Sequence, residues 1–391
     1  MGDDAGVSLG EGSSAPPRIA VVQQGDPTDP KSWSGVPASL SAGLEATGCA
    51  VVPVRTEFPG AQRLAHLLRM GWADQASSRT FAATFAAAGN RRLRRAGQLD
   101  GVVALGSGYA LSTSTPTISF DDMTVAQALR REAPPYDSLS AAAAARWRER
   151  QRCIYERNRA CCTTSTWTAE SVREDYDIPI AKIHVVGIGH NIDPGLTERD
   201  WSVPRFLFVG ADWKRKRGAA CVEAFAAIRR EHPRATLDLV GGHPRIDAEG
   251  VTGHGSLPLD SEQGRRRYAA LLHRATCLLM PSTYEPFGIA YVDAASSGIA
   301  SIGTTVGGAP DAIGDGGRLV DPAEGGALLV AMRELCDPET ARRLGERAHE
   351  RSKLLTWRAV AERLLRALRP PGVDLDALAP FLTPQYGGAA A

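Results

Sequence analysis

Residues 281–298 read PSTYEPFGIAYVDAASSG, and the reading of this stretch decides the fold. An apolar run, Cys277-Leu-Leu-Met280, precedes it, and a second run from Ile299 to Ile302 follows. Short apolar runs bounded by turn residues read as buried strands. Pro286 and Gly288 mark a tight turn between them, and the residues after Gly288 read as a helix. Strand, turn, helix and strand make the repeating unit of a parallel sheet. The unit sets two carboxylates, Glu285 and Asp293, with seven residues between them, at the carboxyl edge of the sheet. The free N–H groups of a helix start lie at the same edge, where open α/β sheets bind ligands. A helix start favours a phosphate or a polarised sugar hydroxyl.

The same alternation runs outward through the chain. On the N-terminal side strands are predicted at residues 18–23, 49–54, 100–105, 116–120, 160–165 and 183–186. A helix is predicted at 36–47, helical segments up to about residue 97, and a long helix at 139–159. The pattern restarts with strands at 205–210, 236–241, 277–280 and 317–320, separated by helices at 218–230 and 262–275, and two further helices end near Leu368. The class is α/β, with two doubly wound halves. The stretch 189–204, with Asp193-Pro194-Gly195, reads as the boundary. The expected organisation is a leader at 1–17, a first domain at 18–192, a second at 200–368 and a loosely ordered tail at 369–391.

Composition excludes several classes. A chain of 391 residues with 43% hydrophobic residues can build two cores. Its net charge of +1 shows no bias towards nucleic acid. No apolar run reaches membrane-spanning length, so stable membrane insertion is not expected. The seven cysteines form no Cys-x-x-Cys pair and read as reduced thiols of a cytoplasmic protein, with no metal site. The N-terminal residues, MGDDAGVSLGEGSSAPP, do not form a secretory signal.

Three further segments carry chemistry. After the strand ending Val209-Gly210 come four cations, Lys214-Arg-Lys-Arg217, and then a helix. A diphosphate is met by this combination of a planar fork, a point charge and a helix start. Gly241-Gly242-His243 closes the next strand, and a glycine pair there lets a ligand approach the backbone. Ser32-Trp33-Ser34-Gly35 joins the first strand to the first helix, where backbone amides can cradle a phosphate. Asp121 and Asp122 follow the fourth strand and read either as site acids or as caps of a helix at 125–131. Arg91, Arg92, Arg94 and Arg95 read as a solvated helix end, or as a patch for an anionic lipid surface.

Residues 281–298, the Val209–Gly218 segment and Thr304-Thr-Val-Gly-Gly-Ala-Pro-Asp311 together resemble the retaining GT-B glycosyltransferases of family 4 and their Glu-x7-Glu signature, with Asp293 in place of the second Glu. The resemblance implies two Rossmann-like domains facing across a cleft, the last helices packing back on the first. It implies a nucleoside-diphosphate sugar as donor, UDP or GDP type, and no cofactor or metal. Glu285 is then expected to hold the donor sugar, and Arg215 and Lys216 to neutralise the diphosphate. Asp293 is expected at the ribose, its contact altered by the missing methylene. Gly35, Gly241 and the backbone of Phe287, Gly288 and Ile289 are expected to line the donor. The chain has Ala211 where the family often has an Arg, and no His after the fourth strand. Asp122 is the candidate there, His190 a second acid–base candidate, and domain closure is expected to bring Gly35 and Asp122 to the sugar. The expected acceptor is a small soluble molecule, such as a specialised metabolite or antibiotic precursor. A lipid acceptor at a membrane surface, a nucleotide-sugar epimerase or hydrolase, and a non-catalytic binding module remain open.

Overall fold

A computed structural model describes residues 15–57 and 78–383. The leader before Ala15 and the helical segments expected within 58–77 lie outside the described residues. The chain divides into two units, one running to Gly187 and resuming at Trp357, the other spanning Ile188–Thr356.

The first unit carries a parallel sheet of β1 Arg18–Gln24, β2 Ala50–Thr56, β3 Gly101–Leu105, β4 Thr117–Asp121, β5 Ala160–Thr163 and β6 Ile183–Val185, in the order β2-β1-β3-β4-β5-β6. Its strands are continuous apolar runs because helices cover both faces; Ile19, Ala20, Val21 and Val22 are all fully buried. The helix at Val36–Ala46 packs Leu40 and Leu44 inward. The helix at Ala141–Arg157 starts at Ser140, whose side chain accepts from the Ala143 amide.

The acids after β4 do not cap the next helix. Asp121 is the last residue of β4, and the cap of Val125–Arg130 is Thr124, in a reciprocal box with Gln127. The helix Thr166–Tyr176, capped by Ser165, was not read from the sequence.

The last helix, Trp357–Leu368, belongs to the first unit and buries Val360, Leu364, Leu365 and Leu368. Arg363 on this helix is 1% exposed; its Nε donates to the Pro380 carbonyl at 2.8 Å and its Nη1 to the Val186 carbonyl at 3.1 Å. Arg366 donates to the carbonyls of Leu378 and Ala379. The Leu382 amide donates to the Val185 carbonyl at 3.0 Å, and Phe381 stacks on His184 at 4.1 Å. The tail expected to be loose is therefore strapped down as far as Leu382 and covers the open edge of β6, where unpaired backbone groups would otherwise be exposed. Residues 384–391 lie outside the described part.

The second unit carries β7 Arg205–Gly210, β8 Thr236–Gly241, β9 Val251–Gly255, β10 Cys277–Leu279, β11 Ala300–Thr304 and β12 Gly317–Val320, all parallel, in the order β12-β11-β10-β7-β8-β9. β9 was missed because VTGHG holds one large apolar residue, as suits an edge strand. Residues 189–204, read as a boundary, are fastened within this unit: the Arg199 guanidinium donates to the carbonyls of Leu272, His273, Ser297 and Gly298.

Candidate functional site

Strand order in the second sheet reverses between β7 and β10. A crevice opens at the carboxyl ends of strands at such a point, and ligands of open α/β sheets settle there. The chain after β7 makes a tight turn: the Lys216 amide donates to the Asp212 carbonyl and the Gly218 amide to the Trp213 carbonyl, both at 3.0 Å. Gly218 then starts the helix Gly218–Glu231 directly under the Trp213 ring, where a Cβ would lie 2.2 Å from ring carbon. This turn aims Arg215 and Lys216 at the end of β10.

Glu285 meets them there. Its carboxylate is 6% exposed, and Oε2 accepts from Lys216 Nζ at 2.5 Å, Arg215 Nη1 at 3.2 Å and Ser282 Oγ at 3.2 Å. Lys216 is 9% exposed and also reaches the Met280 sulfur at 2.9 Å. Arg215 is half-buried, lies over the Tyr284 ring and donates to the Tyr284 carbonyl at 3.0 Å. Burial works to raise the Glu285 pKa, but the charges of Lys216 and Arg215 outweigh it and hold the carboxyl below its usual range. Burial lowers the Lys216 pKa against the pull of Glu285. The cluster is thus a buried carboxylate clamped by two cations, with the Asp212 carboxylate 3.7 Å from Arg215 Nε. All three hydrogen bonds end on one carboxylate oxygen.

The backbone beside Glu285 is fixed by the Val306–Gly308 turn. The Glu285 amide donates to the Val306 carbonyl at 3.0 Å, and the Gly308 amide donates to the Glu285 carbonyl at 2.8 Å. Gly307 sits in this bridge at φ +104°, and an added Cβ would lie 2.1 Å from the Glu285 carbonyl oxygen. Backbone cannot yield there as a side-chain end could. Gly307→Ala is expected to cost about 1–3 kcal/mol, read by denaturant titration. A stability equal to the parent's would show that the bridge is not rigid.

Phe287 is buried, Gly288 turns the chain, and Ile289 opens the helix Ile289–Ser296, which has no side-chain cap among the described residues. Its first amides therefore stand next to the cluster. Gly241 ends β8 beside Gly210, whose carbonyl accepts from the Gly242 amide at 3.0 Å. Glu285, Arg215, Lys216, Phe287, Gly288 and Ile289 come together in one place. Ser282 and Met280, which complete the cluster, were missed; Ser282 stands three residues before Glu285, and its hydroxyl carried the only signal. Tyr291 was missed too; its hydroxyl donates to the Met280 carbonyl at 2.5 Å.

Asp293 stands apart. It is 3% exposed, and Oδ1 accepts from the amides of Asn191 at 2.7 Å and Ile192 at 3.1 Å. Burial pushes its pKa up to about 7, although the two amides pull the other way. The ribose role expected of this residue meets a carboxylate that is already engaged by backbone. His190 also lies in this unit; its amide donates to the Leu355 carbonyl, and burial lowers the pKa of its ring.

In the first unit, Trp33, Ser34 and Gly35 follow one another at φ +43°, +54° and +83°. Two successive non-glycine residues in the left-handed region mark a strained turn. Trp33 Nε1 donates to Asp122 Oδ2 at 3.2 Å, and its ring lies against Phe120 with centroids 5.8 Å apart. Gln23 at the end of β1 donates through Nε2 to Ser32 Oγ. Gly35 starts the helix Val36–Ala46 at this sheet edge. Asp121, one residue before Asp122, is enclosed and accepts from Ser107 Oγ at 2.8 Å.

Residues 203–337 match the family model of glycosyl transferases group 1. The chain is 29% identical over 211 residues to a glycogen synthase of Mycobacterium tuberculosis, covering 51% of each. It is 36% identical over 222 residues to a D-inositol 3-phosphate glycosyltransferase of Corynebacterium glutamicum, covering 50% of this chain and 53% of the relative. The chain thus spans about half the length of the curated relatives it matches. Among solved structures, sucrose-phosphate synthase from Thermosynechococcus elongatus superposes with a TM-score of 0.65 at 18% identity, over 90% of this chain and 98% of the other. WaaG, a glycosyltransferase involved in lipopolysaccharide biosynthesis, superposes with a TM-score of 0.62 at 15% identity, over 91% and 100%. The fold is that of the GT-B glycosyltransferases. Residues 203–337 resemble a group 1 glycosyl transferase domain, in line with the family 4 resemblance. Among the described residues no helix is long and apolar enough to cross a membrane.

Proposed function

We propose that the chain is a retaining glycosyltransferase that moves a sugar from a nucleoside-diphosphate sugar to a hydroxyl acceptor. The observation that carries this reading is the Glu285–Lys216–Arg215 cluster at the sheet's reversal point, beside an uncapped helix start. Two cations side by side suit a diphosphate that gains charge as the sugar leaves. Lys216 and Arg215 supply that neutralisation without a metal ion. Glu285 Oε1 carries none of the three hydrogen bonds and is placed to accept from a donor-sugar hydroxyl, while the amides of Gly288 and Ile289 add donors to the same place. Arg215 and Lys216 act as electrostatic stabilisers and Glu285 as the sugar anchor. Acceptor contacts fall to the first unit, with Gly35 and Asp122 as candidates. The relatives' names concern glycogen and an inositol phosphate. The acceptor is accordingly proposed to be a carbohydrate or cyclitol hydroxyl; a specialised metabolite has no counterpart in those names.

Thermal-shift measurements with UDP, GDP, ADP and dTDP, with and without Mg²⁺, test the reading. A ligand at a hundred times its Kd adds about 2.7 kcal/mol to the folded state. One nucleotide is expected to raise Tm without Mg²⁺, and Lys216→Met to lose most of that shift. No shift with any nucleotide, in folded protein, would overturn the donor site.

A further inference from the structure

The order of the second sheet decides which strand ends each part of a donor would meet. Glu285, placed for the sugar, stands past the end of β10, and Arg215 and Lys216, placed for the diphosphate, follow β7. A nucleoside on the far side of that diphosphate runs away from Glu285, over the ends of β8 and β9, which are the next strands in the sheet at steps of about 5 Å. Glycines shape the backbone there. A Cβ at Gly242 would lie 2.3 Å from the Ala211 carbonyl oxygen, while one at Gly255 would meet nothing within 4 Å. Between them His243 is bound to main chain through both ring nitrogens. Nε2 lies 3.0 Å from the Gly255 amide nitrogen, and Nδ1 lies 2.8 Å from the Pro244 carbonyl oxygen. An amide can only donate and a carbonyl only accept, so Nε2 is the acceptor and the proton sits on Nδ1. The ring lies against Gly253, where a Cβ would come within 2.4 Å of Cε1, and beside the Trp213 ring with centroids 6.4 Å apart. His243 thus ties the turn after β8 to the end of β9, with both ring nitrogens already engaged.

We propose that His243 is a positioning residue for base recognition: it holds the main chain at Gly255 and just beyond in the place where amides and carbonyls meet the edge of the donor's base, and it does so without touching the base itself. The inference rests on the donor-site reading above and goes beyond it by putting the choice among bases in backbone held by one side chain. A site discriminates by hydrogen bonds when its donors and acceptors are fixed before the ligand arrives, because a wrong partner then leaves them unpaired. A free loop end can turn to suit any base. One such hydrogen bond is worth up to about tenfold in affinity.

Calorimetric titration of the full chain with UDP, CDP, GDP and ADP is the test. The parent is expected to bind one of the four at least about tenfold more tightly than the rest. In His243→Ala that preference is expected to shrink to about threefold or less, through weaker binding of the favoured nucleotide, and hydrogen exchange at the Gly255 amide to speed up. His243→Gln, whose side-chain oxygen can stand where Nε2 stood, is expected to keep both the preference and the slow exchange. An equal loss of affinity for all four nucleotides in His243→Ala would make the residue merely structural and overturns the proposal. An unchanged preference, unchanged exchange at Gly255, or a glutamine variant that behaves like the alanine one overturns it as well. A parent that binds all four alike overturns it while leaving the donor site standing. If none of the four binds, the donor-site reading falls, and the inference with it.

Discussion

Glu285→Ala is expected to lower turnover by about a hundredfold or more and to destabilise the second unit by about 3–5 kcal/mol. Both effects have one origin. The substitution removes the only carboxylate bonded to Lys216 among the described residues, and Lys216 is 9% exposed and cannot regain water without breaking the turn that places it. Removing one partner of a buried pair leaves the other charge uncompensated, and that penalty exceeds what the pair itself contributes. For a domain of this size each kcal/mol moves Tm by about 2–4 °C, so a drop on the order of 10 °C is expected by calorimetry. A double variant separates the structural from the catalytic share. Glu285→Gln with Lys216→Met removes both charges while keeping similar volumes. Arg215, the less buried cation, can turn to solvent. The double variant is expected to recover most of the lost Tm and none of the lost turnover. Recovery of turnover with Tm would reduce the cluster to a structural ion pair. An unchanged Tm in Glu285→Ala would mean that Lys216 is not held by this carboxylate.

The parts of this cluster that were legible in the sequence are those written in local pattern. Cys277 to Met280 and Arg205 to Gly210 announce buried parallel strands through unbroken apolarity, and Gly288 announces a turn. Glu285, Arg215 and Lys216 then follow from charge types at strand ends. What escaped depends on which atoms approach in three dimensions. Ser282 and Met280 look like ordinary strand-end residues until Lys216 is folded onto them. Asp293 looks like a second site acid until the amides of Asn191 and Ile192, a hundred positions away in the chain, take its oxygen. The tail after Pro370 looks loose because its own side chains say little. Its order comes from Arg363 and Arg366, which donate to its carbonyls from a helix earlier in the chain. The acids after β4 were read as possible helix caps, and the structure gives that role to Thr124; strand pairing with β5 carries Asp121 into the sheet instead.

Asp121 then bears on how stability depends on pH. Burial pushes its pKa from 3.8 up to about 7, against the bond from Ser107 and with a further push from the Asp122 charge. Its Oδ2 and the Ser119 hydroxyl, two residues back on β4, have no hydrogen-bond partner among the described residues. A neutral carboxyl at this place can use its proton towards such an acceptor, while a carboxylate has the Ser107 hydroxyl, and more weakly Ser119 and Tyr155, to set against its burial. The folded state therefore holds a proton that the unfolded chain releases near pH 4. Stability from this group is full below about pH 4 and declines as pH rises through about 7. A shift of about three units corresponds to about 4 kcal/mol. Asp121→Asn keeps an oxygen for Ser107 and cannot ionise. Between pH 4 and pH 8 the variant's stability relative to the parent is expected to improve by up to about 4 kcal/mol, measured as urea midpoints across that range. Asp293 carries the same sign through its own raised pKa, so the stability of Asp121→Asn is expected to keep falling through neutrality, with a shallower slope than the parent's. Parallel pH curves for the variant and the parent would mean that Asp121 is ionised in the folded protein, its charge met by a donor absent from the present network.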